Sequence, residues 1–167
     1  MTLERIWAGW RTTYIDEVAT QPPPGGDHDC LFERLAREPD GVSLVLARNE
    51  HAFAVMNAYP YTSGHLMVAP LRHEATLVGL TPDEAAEVMH AGQRASAALA
   101  AAFRPDGLNL GANIGRAAGA GVPGHVHVHV LPRWGGDTNF VTTVAEARVL
   151  PESLRASYDK LRAAWPR

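Results

Sequence analysis

The sequence has 167 residues, 46% of them apolar and 20% charged, with a net charge of −3 when histidine is neutral. That length holds one domain with a real core, and the chain is too apolar for a disordered one. The slight negative charge argues against nucleic acid or an anionic membrane as partner, since each needs a basic surplus.

No window approaches the ~20 apolar residues of a membrane helix, and residues 1–6 carry no apolar signal core. Cys30 is the single cysteine. A cytoplasmic, reducing location is the expectation. Three of the eight histidines fall within residues 125–129, so the count belongs to a site.

In chain order, residues 1–27 read as an N-terminal arm with Trp7, Trp10, Arg11 and Tyr14, followed by a Pro/Gly-rich loop. The catalytic domain is expected over 28–167. A short helix is expected at 30–38. Apolar runs at 42–48 and 52–57, separated by Asn49-Glu50-His51, predict an antiparallel hairpin. Residues 59–64 predict a turn and 65–70 a third strand. Thr81-Pro82-Asp83-Glu84 combines a capping threonine, a first-turn proline and acids facing the helix dipole. The Ala-rich stretch to Phe103 is its helix. Residues 108–114 predict a fourth strand, 115–124 a flexible glycine loop, 125–132 a fifth strand and 151–165 a closing helix. Strands in runs around one long helix predict an α+β fold with an antiparallel five-stranded sheet.

Residues 125–131, His-Val-His-Val-His-Val-Leu, alternate imidazole with aliphatic. On a strand, the valines face the core and the imidazoles share the other face about 7 Å apart. Three readings follow: a solvent-facing strand, a metal site with an open position, or nucleophilic attack on phosphorus by a neutral imidazole. The adjoining glycine loop favours the third, because small residues let backbone N–H groups approach phosphate oxygens.

The heptad His-φ-His-φ-His-φ-φ, together with residues 54–57, 60–70 and 80–84, resembles the histidine-triad (HIT) superfamily over roughly residues 28–135. Segments 132–140 and 5–14 resemble its diadenosine tetraphosphate phosphorylase-like branch. The resemblance implies a nucleotide hydrolase or nucleotidyltransferase acting through a covalent nucleotidyl-histidine, with a dinucleoside polyphosphate, nucleotide phosphoramidate or adenylate as substrate. His127 would be the nucleophile. His129 would bond the phosphate or ribose region, His125 would orient the neighbouring imidazole, and His65 would sit beside the triad. Asn57 would bind ribose, Asn113 would bridge to the phosphates, and Trp134 would stack on an adenine or close the leaving-group side of the site. Gly121 stands where relatives carry glutamine or serine, so it offers phosphate only its backbone N–H and leaves open whether water or phosphate completes the reaction. A homodimer is implied, and no cofactor is required for chemistry. Cys30-Leu31-Phe32-Glu33 stands where many relatives carry Cys-x-x-Cys. Cys30, Glu33, His73 and His125 are then a candidate four-ligand structural zinc set. Rival readings are a nucleotide- or zinc-binding module without turnover, and a metallohydrolase.

Overall fold

A computed structural model describes residues 30–138 and 150–166. The expected N-terminal arm and residues 139–140 of the branch-like segment lie outside them. Five strands form one antiparallel sheet: β1 (Val45–Arg48), β2 (Ala52–Met56), β3 (Leu66–Pro70), β4 (Gly107–Gly111) and β5 (Val128–Arg133). Their spatial order is β1-β2-β3-β5-β4. Among the described residues the α-helices are α1 (Leu31–Arg37), the single turn α2 (Asp40–Ser43), the long α3 (Pro82–Phe103) and α4 (Leu154–Ala164). The expected α+β architecture is present.

Helix α3 begins where its sequence dictates. Thr81 Oγ1 accepts from the Glu84 backbone N–H at 3.2 Å, and the Glu84 carboxylate accepts from the Thr81 N–H at 2.8 Å. This reciprocal pairing satisfies two amide donors that a helix start leaves open. Arg72 then grips the same carboxylate through two 2.7 Å hydrogen bonds. Val88, Ala91, Ala95, Ala98 and Leu99 are buried on one stripe, packed against Ala54, Met56, Leu66, Val68 and Val130 of the sheet. The small alanines let the helix lie close to the strands. The opposite sheet face carries Val45, Phe53, Val55, Met67 and Ala69, capped by Phe32 of α1.

Three strands and the closing helix differ in extent, the helix starting at Leu154 rather than 151. The first strand starts at Val45 rather than residue 42, because Asp40–Ser43 form a helical turn ended by Leu44 in the left-handed region, φ 56°. The fourth strand stops at Gly111 rather than 114. The fifth begins at Val128, so His125 and His127 lie on its lead-in. Pro70 explains that start. The β3–β5 ladder runs Leu66↔Val130, Met67↔His129, Val68↔Val128, and Pro70, two residues further on, has no N–H to donate. The lead-in is held instead by the Val126 N–H, which donates to the Glu74 carbonyl at 2.6 Å.

The glycine loop is more ordered than its composition suggests. A 3-10 turn, Arg116–Ala118, sits between Gly115 and Gly119, whose φ angles are 80° and 85°.

The turn before β3 needs its glycine. Gly64 has φ +84°, and a Cβ there would lie 3.0 Å from Phe103 and 3.1 Å from Leu99. Gly64→Ala is therefore expected to destabilise the fold by about 1–2 kcal/mol from the left-handed backbone alone, read as a lower urea midpoint. An unchanged midpoint would show that the turn is not held this way.

Candidate active site

His129 is opposite Met67 in the ladder, which puts the triad on the sheet face away from α3. The alternation expected from sequence holds in its spatial effect, with Val126 and Val130 buried in the core. The rings are closer than an ideal strand predicts: His127 and His129 have centroids 5.0 Å apart at an interplanar angle of 75°. They are also enclosed. His125, His127 and His129 are 1%, 4% and 8% exposed, whereas attack on phosphorus asks for a central ring within reach of substrate. Phe32 is one reason, its ring centroid lying 4.7 Å from that of His127 and 5.1 Å from that of His125.

The hydrogen bonds fix which nitrogen of each ring carries a proton, because a backbone carbonyl accepts and a backbone N–H donates. His127 Nδ1 lies 2.8 Å from the His125 carbonyl oxygen, so Nδ1 holds the proton and Nε2 keeps a bare lone pair. His125 Nε2 lies 2.9 Å from the Pro70 carbonyl, so its bare nitrogen is Nδ1, which faces Cys30 Sγ at 3.3 Å. The His125 main chain, rather than its ring, orients His127.

A third chain of bonds sets His129. The Tyr61 N–H donates to His65 Nδ1 at 3.1 Å. His65 Nε2 therefore carries its proton and donates to His129 Nδ1 at 3.0 Å. That leaves the proton of His129 on Nε2, as a donor. Asn57 Nδ2 lies 3.4 Å from the His65 ring nitrogens, which brings Asn57 into the same group.

Burial holds all four imidazoles neutral by denying water to the charged form. His65 is pushed down to about 3, first by burial and then by repulsion from His129 and His127. His129 falls to about 4 through burial and His127. His127 is lowered by burial against the opposing bond to the His125 carbonyl, and His125 by burial against its bond to Pro70.

Other expected site residues fall elsewhere. Trp134 packs edge-on against Phe103 of α3, centroids 6.4 Å apart, so it is not brought to the triad. Its loop is pinned by Asp137, whose carboxylate accepts two bonds from Arg133 and one from the Trp134 N–H. Asn113 lies two residues past Gly111, which is opposite His129. Gly121 is exposed in the loop before the triad.

Two rings at the site escaped the sequence reading. Phe32 looked like an ordinary apolar helix residue and carried no signal. Tyr61, centroid 4.6 Å from His65 and 5.8 Å from His129, did carry one: an aromatic inside a polar turn four residues before a candidate histidine.

Cys30, His73 and His125 each offer a ligand atom within 4.8 Å of the others, a donor set suited to zinc. Glu33 lies outside that trio and faces His73 Nδ1 at 3.4 Å, against the four-ligand expectation.

An antiparallel sheet backed by one long helix, with three alternating histidines on the face away from that helix, defines a histidine-triad protein. The HIT domain pattern matches residues 39–136, and the chain belongs to the HIT family. It is 39% identical over 167 residues to an AP-4-A phosphorylase of Mycobacterium tuberculosis, covering 99% of this chain and 86% of that one. Among solved structures, a Zn-bound histidine triad family protein from Mycobacterium smegmatis is 30% identical with a TM-score of 0.67, over 83% of this chain and 94% of that one. A Hit-like protein from Bartonella henselae, described as involved in cell-cycle regulation, is 25% identical with a TM-score of 0.67, over 84% and 99%.

The lowered imidazole pKa values have a stability consequence with a definite sign. Each group titrates near 6.5 when unfolded and lower when folded, so the unfolded chain binds more protons between. The stability they contribute is present above about pH 6.5 and is lost as pH falls toward 4. The urea midpoint is expected to drop from pH 7.5 to pH 5, while the His65 and His129 ring resonances stay those of neutral imidazole. A midpoint that rises on acidification would contradict the assignment.

Proposed function

We propose that this protein is a nucleotide-processing enzyme in which His127 Nε2 attacks the α-phosphorus of a dinucleoside polyphosphate. The supporting observation is the pair of fixed tautomers, a bare His127 Nε2 beside a protonated His129 Nε2. In the first displacement the Nε2–P bond forms and the P–O bond to the rest of the chain breaks. The leaving polyphosphate takes the electron pair, and the His129 proton stabilises the charge gathering on phosphate oxygen. In the second displacement inorganic phosphate attacks the nucleotidyl-histidine, the N–P bond breaks and its pair returns to Nε2. The neutral state enforced by burial keeps that lone pair available at physiological pH. Because His127 is only 4% exposed, substrate must displace its cover to reach it. Asn57 and Asn113 bind ribose and phosphate, and Gly121 offers its N–H. Trp134, packed on Phe103, closes the leaving-group side of the site.

Phosphate as acceptor follows the relative named AP-4-A phosphorylase. Zinc in a structural role is supported by the Cys30, His73 and His125 cluster, which would tie the start of α1 to the triad and the loop after β3. The reaction itself runs through the histidines and takes no step on metal. A homodimer would pair the edge strand β4, where Leu110 is 47% exposed and lies by Gly92 of α3, one turn from the exposed Met89. A single cysteine fits the cytoplasm, and among the described residues no helix is long and apolar enough to cross a membrane.

His127→Ala is expected to lower turnover of diadenosine tetraphosphate by about 1,000-fold or more, as for other nucleophile deletions. Retention of full activity removes His127 from the chemistry. With phosphate present the products are expected to be ADP and ATP. AMP and ATP, unchanged by added phosphate, identify hydrolysis instead.

A further inference from the structure

Both histidines of the Cys30 cluster already have one ring nitrogen committed to oxygen. His125 Nε2 donates to the Pro70 carbonyl at 2.9 Å, leaving Nδ1 toward Cys30 Sγ at 3.3 Å. His73 Nδ1 faces Glu33 Oε2 at 3.4 Å, leaving Nε2 on the side of Gly124, where an added Cβ would lie 3.6 Å from it. Gly124 directly precedes His125, so the free nitrogen of His73 looks toward the segment that carries the second histidine. The two rings meet edge to face with centroids 5.5 Å apart. An outer oxygen on the far nitrogen is the arrangement that fixes tautomer and ring direction in metal-bound histidine.

Glu33 has the outer role by position and by charge. No oxygen of Glu33 belongs to the cluster of converging ligand atoms, and the carboxylate is already shared with Arg37 at 3.6 Å. A guanidinium on Oε1 and the His73 ring on Oε2 occupy both oxygens and make Glu33 a poorer ligand.

Resting on the zinc reading above, we infer that, among the described residues, the ion is held by three side chains, Cys30 Sγ, His125 Nδ1 and His73 Nε2. Glu33 acts as the acceptor that orients His73, and the fourth position is left to water or a small exogenous anion. The site is then open and exchangeable rather than closed.

Cobalt(II) loaded into the metal-stripped full chain tests this, with metal stoichiometry and the visible spectrum as readouts. Wild-type protein is expected to take one ion per chain, with bands that shift on adding azide. Glu33→Gln is expected to keep that stoichiometry, spectrum and azide response, with affinity lowered about 10- to 100-fold. Glu33→Cys, which supplies a true fourth ligand, is expected to strengthen the thiolate charge-transfer band and abolish the azide response. A Glu33→Gln spectrum with altered ligand-field bands, or a wild-type spectrum insensitive to azide, overturns the open-site inference while leaving zinc in place. Wild-type protein that takes up no metal overturns both.

Discussion

A carbonyl oxygen can only accept, and that one-way chemistry determines what each histidine of the triad can do. The His125 carbonyl takes the Nδ1 proton of His127, and the Pro70 carbonyl takes the Nε2 proton of His125. Three rings of identical composition thereby become different groups: a ligand-like base toward Cys30, a nucleophile-like base in the centre, and a donor in His129. The donor depends on a relay that starts from the Tyr61 amide and passes through His65. No side-chain charge is needed to set the pattern, since the backbone supplies each fixed end.

Burial reinforces the arrangement. An imidazolium ring inside this site would lose its hydration and meet a second imidazole at close range, so each ring stays neutral. The site has two ends of different character. One, at His125, is flanked by Cys30, His73 and Phe32. The other, at His129, is flanked by His65, Asn57 and Tyr61. His127 sits between them, under Phe32.

Much of this is legible in the sequence, for identifiable reasons. The triad declares itself because a strict imidazole–aliphatic alternation has few other uses, and Thr81-Pro82-Asp83-Glu84 declares α3 because capping is local chemistry. Strand limits were less legible. The late start of β5 depends on a missing N–H at Pro70 in a strand more than 50 residues earlier, and the late start of β1 depends on Leu44 adopting a positive φ without being glycine. The burial of the triad was invisible for the same reason. Phe32 reaches His127 only through the fold, and nothing in the Cys30–Glu33 string distinguishes a carboxylate that binds metal from one that holds His73. Trp134 is a site candidate only through the resemblance of segment 132–140. Its side chain follows the parity of Val128 and Val130 and joins the helix side.

The back helix has a mechanical meaning for the front face. At 22 residues, α3 is about 33 Å long. Its first turn is bolted through Glu84 to Arg72, the neighbour of His73, and its last turn carries the Phe103 ring that closes over Gly64, the neighbour of His65. One rigid rod thus meets the chain beside both outlying histidines. The span between the metal-facing and relay-facing ends of the site is ruled off by helix length, so adding or removing a residue in the middle of that rod would throw one end out of alignment without touching a single histidine.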